Sequence, residues 1–441
     1  MAEKTQELSK GLTPVKLWAI VVGAVVSGMY FGWNYMFEGT NFVGALIATL
    51  IVTVFYFTFV LAYAELATAI PSAAGPSAYS EKAFGGFAGF LAGFSVLIEY
   101  IAATPGIAIS IGAYVHTLVP AVPAVVASVV AFLIFVFINC RGIESAAVVE
   151  LVVTVLAIVG VVVYFVAGVP NVEMGALFAG KTSMNGFTGI FAAIPYAVWF
   201  YLAVESGAMG AEECKNPQKD IPKAFIGGIV TLVVMALATL FVTAGNSASD
   251  LGAVTLTDDP LPAILGGAYG SGSIIVKIVS FLGLFGLIAS LHGIIIGASR
   301  QAYAMARSNY LPAPLAKLDK KGTPIAAVLV TSIISLIFVI VGSVGSLVVF
   351  SCIGSCIMSV LSLAAWFVLR KKAPEMERPF KLKSPVVPII ASITCCIVVI
   401  ALVVSEASLL GLAAIVYAVA AVYYFVTHKI FVKETAAEKV K

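Results

Sequence analysis

The sequence predicts an all-α integral membrane protein of about twelve transmembrane helices, and three features carry that expectation. Only 11% of the 441 residues are charged and 61% are hydrophobic, with a mean hydropathy of +1.08, whereas a soluble domain holds about 25% charged residues. Apolar runs of about 20 residues, long enough to cross a bilayer as a helix, recur down the chain with Pro, Gly or charge between them. With the N-terminus placed in the cytoplasm, the clusters "KNPQK", "RQAYAMAR", "KLDKK", "RKKAPEMERPFKLK" and "KIFVKETAAEKVK" all fall inside, and of the 25 Lys and Arg residues only Lys181 and Lys277 fall outside. That asymmetry follows the positive-inside rule and places both termini in the cytoplasm. The net charge of +3 is therefore an inner-face bias and not a nucleic-acid footprint.

Residues 1–14 open on "MAEKTQELSK", which is polar and mixed in charge. Without an apolar core and a small-residue cleavage site they form a cytoplasmic tail and not a cleaved signal peptide. Spans 1 to 5 are expected at 15–37, 42–70, 86–117, 121–140 and 144–168. Span 1 contains "AVVSGMYFGWNYMF", where Gly28 and Gly32 in mid-run either form a helix-packing notch or break the helix. Span 2 carries Glu65 near its inner end, an inner-gate or structural partner. Span 3 carries Glu99 beside Tyr100, with Thr104 and Pro105 a turn later, and span 5 carries Glu150 one to two turns from the cytoplasm.

Spans 6 to 10 are expected at 186–211, 222–245, 273–306, 323–341 and 345–369. In span 6, Pro195 and the aromatic group Tyr196, Trp199, Phe200 and Tyr201 precede Glu205, Gly207 and Gly210. A carboxylate in hydrocarbon costs several kcal/mol unless it has a partner or water, so Glu205 needs a reason to be there. "NPQKDIPKA" ends span 6 at Asn216-Pro217 and starts span 7 with Asp220 as N-cap and Pro222 in the first turn. Span 8 has His292 at its middle. Spans 11 and 12 follow at 385–405 and 408–428, then a cytoplasmic tail at 429–441. Interrupted spans 1 and 6 each open a set of five, and an odd number per set forces opposite orientations, so 15–168 and 186–369 read as inverted repeats.

The longest connections, 169–185 and 245–272, are too short to bury a core of their own, so function resides in the membrane. The six cysteines lie mostly in apolar runs without CxxC or Cys/His spacing, so no metal, cofactor or disulfide is expected. Carrier, channel, intramembrane enzyme and sensor remain. HExxH and GxSxG are both missing from the sequence, and there is no appended signalling domain.

"YAELATAIPSAAGPSAYSEKAFG", "AEECKNPQKDIPKA", "SRQAYAMARSNYLP" and "RKKAPEMERPFK", in this order, resemble the amino acid-polyamine-organocation transporter family over nearly the whole chain. Within it, "SGMYFGWN", "FTFVLAYAELATAIP", "IEYIAATPGIAISIGAYV" and "SLHGIIIGASRQ" look most like ethanolamine permeases. The resemblance implies ten core helices in two inverted five-helix repeats, with spans 1 and 6 unwound at their middles and two helices appended. It implies a secondary carrier working by alternating access, and no enzyme.

Carried onto this sequence, the substrate-site candidates are Ser27, Gly28, Met29 and Tyr30 at the first break, Glu99 and Thr104 on span 3, and Trp199, Tyr201 and Glu205 at the second. Glu205 resembles the acid that follows the unwound segment across the family. Aromatic faces stabilise an ammonium by about 0.5 to 2 kcal/mol each, so such a cage with one carboxylate suits a small cation. Where amino acid carriers of the family have a "GSGI"-type run, this chain reads "VSGMYF", with fewer glycines to free amides for a substrate carboxylate. A second acid such as Glu99 favours an amine without a carboxylate, and ethanolamine fits. Glu150, Glu205 and His292 are the candidates for coupling or gating. Ala157 stands where some cationic amino acid carriers place a lysine, and a proton is the expected coupling ion. An amino acid or polyamine exchanger is the alternative. Arg300 and Arg307 are placed to meet inner-leaflet phosphates or cytoplasmic carboxylates.

Overall fold

The computed structural model describes residues 11–141, 146–178, 186–248 and 251–438. The first ten residues, Lys181 and the last three residues lie outside them. Helix α1 (Pro14–Val25) is capped by the Thr13 side chain, which accepts from the Lys16 amide, with Pro14 in the first turn. It gives way to a 3-10 turn at Val26–Met29, bends at Tyr30–Gly32, and resumes as a second 3-10 segment at Trp33–Glu38. Gly32 has φ +88°, a conformation that side chains with a Cβ adopt only at a cost.

Helices α2 (Phe42–Ala69), α3 (Pro76–Phe84), α4 (Gly86–Leu118), α5 (Ala124–Arg141), α6 (Ala146–Gly168) and the short α7 (Met174–Phe178) complete the first half. The second half opens with α8 (Gly186–Val198), which stops at an irregular stretch over 199–203 and continues as a 3-10 segment at Val204–Glu213. Then come α9 (Pro217–Gly245), α10 (Leu251–Thr255), α11 (Pro260–Tyr269), α12 (Ile274–Arg307), α13 (Ile325–Val341), α14 (Val344–Lys372), α15 (Val386–Ser405) and α16 (Ala407–Glu438). Ten helical stretches are long and apolar enough to cross a membrane, and the shorter apolar α8 and α13 make up the twelve expected. The described residues contain no strand, only two isolated bridges. A helical multi-pass architecture lets every backbone group be satisfied within its own segment in lipid.

Helix α4 is central and packs on α3, α5, α12 and α14, while α1 lies against α6, α9 and α12. Lipid-side surfaces are apolar: Leu412, Ile415, Val419, Val422 and Phe425 of α16 all point outward. At the face that carries the basic clusters, buried Glu65 holds α2 to α14 and the loop after it. Arg370 donates to it twice at 2.7 Å, Arg378 lies 3.4 Å away, and the Leu382 amide donates at 2.8 Å. Arg300 meets Glu213 at 2.8 Å, as the carboxylate option anticipated, whereas Arg307 stacks over Tyr303. The amides of Gly11 and Leu12 donate to the Glu213 carbonyl, and Lys215 donates back to Leu12.

Two expectations are corrected. Asp220 is not the N-cap of span 7: α9 starts at Pro217 with Asn216 at the cap, and Asp220 in the first turn accepts from the Asn216 amide at 3.1 Å. Proline is already compatible with the first helical position, so the helix begins one turn earlier than the acid suggested. Pro222 accordingly lies in the second turn of α9 and not the first. Helix α16 runs on as far as Glu438.

Candidate functional site

The two interruptions meet. A Cβ added at Gly28 would collide with the Trp199 carbonyl, and one at Gly32 with the Trp199 indole. Both glycines are therefore needed for close approach of span 6, and the notch and the break turn out to be one feature. Phe31 packs edge-on to Trp199 with centroids 5.3 Å apart, and Trp33 stacks on Phe200 at 5.5 Å. Ala203, with φ 73°, turns the chain so that its amide starts the second half of span 6 free of any helical acceptor.

Glu99 occupies that amide: its Oε1 accepts from Ala203 N at 3.0 Å. Glu205, two residues on, accepts from the Tyr100 hydroxyl at 2.6 Å. The two carboxyl groups lie near enough to act on each other electrostatically, and the second oxygen of each has no hydrogen-bond partner. Both residues are 0% exposed, and among the described residues no salt bridge reaches either. Neighbouring buried acids repel each other and lack solvation when both are ionised, so a proton or a cation between them is favoured. Ser355 of α14 faces Glu99 and is 3.2 Å from the Tyr56 hydroxyl.

The remaining candidates divide. Trp199 is buried against the first break, on Gly32 and Phe31, with its Nε1 unpartnered. Ser27 donates its amide to Ser290, which itself donates to Gly23 O, bridging α12 to α1 at the break. The Met29 carbonyl accepts from the Trp33 indole at 3.2 Å. Tyr30 turns toward α6, its hydroxyl on the Ala157 carbonyl at 2.5 Å, and Tyr201 turns toward α2, 2.6 Å from Thr53. The Thr104 hydroxyl donates to the carbonyl of Tyr100 on its own helix. Glu150 and His292 do not join the carboxyl pair; they line a separate cavity between α5, α6 and α12. Sequence reasoning missed Tyr100, Ser290 and Ser355 as contributors, because a hydroxyl in an apolar run carries no signal of which neighbour it will meet.

The side opposite the basic clusters is roofed by the loop carrying α10. The Asn34 amide donates to the carbonyls of Val254, Thr255 and Thr257, Tyr35 reaches Asp258 at 2.9 Å, and Ser110 reaches the Asp258 carbonyl at 2.7 Å. Burial raises the pKa of Asp258, against the lowering effect of the Tyr35 hydrogen bond. On the basic side, Glu213 joins Arg300 and Leu12, and Glu99 and Glu205 are fully buried.

Broken helices whose freed backbone groups meet charged side chains in mid-bundle are the architecture of a secondary carrier. The chain belongs to the amino acid permease family, which it matches over residues 17–439. It is 26% identical to an uncharacterized transporter of Rhizobium meliloti, covering 83% of this chain and 80% of that one. It is 25% identical to a branched-chain amino acid permease of Lactococcus lactis, covering 74% of each. With the human cystine/glutamate transporter it shares 27% identity over 89% of this chain and 80% of that protein. It is thus a membrane transporter of the amino acid permease family.

Proposed function

We propose that this transporter moves ethanolamine or a similarly small primary amine by alternating access, with a proton as coupling ion. The observation that carries the reading is the Glu99–Glu205 pair: two fully buried neighbouring acids that, among the described residues, no salt bridge reaches. An ammonium supplies the missing charge, and Trp199 and Phe31 supply apolar walls of a size that suits a two-carbon amine. A substrate carboxylate beside two acids would add repulsion. The reading places the cell's cytoplasmic membrane around the chain, with both termini in the cytoplasm. It takes 15–168 and 186–369 as the two inverted repeats. An amino acid substrate is the second reading, favoured by relatives whose names specify branched-chain amino acids, cystine and glutamate.

Purified protein in liposomes separates the two. Saturable uptake and exchange of ethanolamine, with amino acids and polyamines failing to compete, is the expected outcome. Competition by leucine or glutamate with none by ethanolamine overturns it. Within that assay, Glu205→Gln removes charge while keeping size and hydrogen-bonding capacity. A direct ammonium contact predicts lost affinity, and a proton role predicts near-normal binding and exchange without pH-driven accumulation. Normal binding and normal pH-driven uptake would make Glu205 structural, and Glu99→Gln then tests the other acid.

A further inference from the structure

A cavity of about 260 Å³ lies between α5, α6 and α12, and its lining is apolar except for Glu150 and His292. Glu150 is 5% exposed and its Oε1 has no hydrogen-bond donor. That oxygen lies against Gly23 of α1, where any Cβ would strike it and the Thr154 hydroxyl. His292 is 7% exposed, and its Nδ1 is 3.1 Å from Nδ2 of Asn139. The same amide nitrogen donates to the Phe135 carbonyl at 2.7 Å. An amide nitrogen only donates, so Nδ1 of His292 accepts, and the ring is neutral with its proton on Nε2. His292 is thereby a hydrogen-bond donor at this cavity and not its base, which leaves Glu150 as the group that can take up a proton.

We propose that the Glu150–His292 cavity is a proton-loading site separate from the Glu99–Glu205 pair. A hydronium in the cavity gives its proton to Oε1 of Glu150 and leaves as water, and release reverses the step. In the ionised state the neutral imidazole donates from Nε2 through cavity water to the carboxylate. Asn139 is a positioning residue that holds the ring in this tautomer.

Besides Glu150, the titratable or charged side chains on the surrounding elements are Tyr164 on α6, Lys277, His292, Arg300, Tyr303 and Arg307 on α12, Cys140 and Arg141 at the end of α5, and Lys16 at the start of α1. Tyr30 follows α1, and Lys219, Asp220 and Lys223 lie in the first turns of α9. Of these, Arg300 acts electrostatically on His292. The charge state of Glu150 bears directly on α1, because it touches Gly23, whose carbonyl Ser290 ties to the Ser27 amide at the break. Protonation on one side of the membrane and release on the other would therefore bias the hinge of α1 itself. This inference rests on the carrier reading but not on the identity of the substrate.

Infrared difference spectra of the full-length protein in lipid, recorded between acid and alkaline pH, test it without any substrate. A protonated-carboxyl band that disappears as pH rises is expected, absent in Glu150→Gln, shifted in Glu150→Asp and shifted in His292→Asn. Spectra in which Glu150→Gln removes no titrating band overturn the proposal, as does a Glu150 band that stays constant across the range. In liposomes, Glu150→Gln is expected to abolish accumulation driven by a pH gradient while exchange persists, and retained pH-driven accumulation also overturns it. If ethanolamine is not exchanged even by the unaltered protein, the substrate reading fails while the infrared titration still decides the role of Glu150.

Discussion

Trp199 concentrates several contacts in one residue. Its carbonyl fills the notch of Gly28, its indole covers Gly32, and its ring meets Phe31. On the proposed reading, Trp199→Ala removes a cation-binding face. Ethanolamine binding measured by titration calorimetry is expected to weaken by about 1 to 2 kcal/mol. Unchanged affinity would assign the ring to packing alone. Gly28→Ala tests the other partner of the contact. The added methyl collides with a backbone carbonyl, which cannot rotate aside, so the two breaks must separate. Transport is expected to be lost while the protein still inserts, and normal uptake would show that the approach is not needed. At this scale the sequence was informative about residue type and poor on partners. Glu99 and Glu205 stand out because acids are rare in apolar runs, and Trp199 because it lies far from either interface. Nothing in Tyr30 distinguishes a ring that faces the site from one that turns to Ala157, since the direction of a side chain at a helix break depends on neighbours more than a hundred residues away.

Among the elements, the best-defined contact outside the site is the one that locks α2 to α14. Glu65, its side chain only 2% exposed, accepts twice from the Arg370 guanidinium and once from the Leu382 amide, and forms an ion pair with Arg378. Glu65→Gln leaves Arg370 and the deeply buried Arg378 without a counter-charge. Removing one partner of a buried ion pair costs about 3 to 5 kcal/mol. Thermal unfolding in detergent should fall accordingly, and a melting temperature equal to that of the unaltered protein would refute the latch. Span limits were largely legible because hydropathy reports them directly. The start of α9 was not, since Asp220 has the chemistry of a cap and only the geometry reveals that it reaches back from the first turn to Asn216. The folding of residues 251–269 into α10 and α11 over the site was equally hidden, because five-residue and ten-residue helices are held by contacts such as those of Asn34 and not by a pattern of their own.

For the whole molecule, orientation is the property that charge alone predicts. A cysteine placed at Glu438 should resist impermeant thiol reagents in intact cells, and ready labelling there would invert the proposed topology. The twelve spans and their order follow from composition. The coming together of α5, α6 and α12 around Glu150 and His292 does not, because it depends on helix rotation, which hydropathy leaves free.

The backbone clasp between Gly11, Leu12 and Glu213–Lys215 ties the entry of the first helix to the end of span 6. It consists of three hydrogen bonds among groups that are spread over the first helix entry and the end of span 6. At about 0.5 to 1.5 kcal/mol each, unzipping them costs an amount that binding of a small ligand at the centre can offset. The unloaded protein would thus remain shut toward the basic face, and cargo would act as the key that releases it. Such an arrangement would discourage empty cycling and, under the proposed coupling, the leak of protons that a freely rocking carrier would allow.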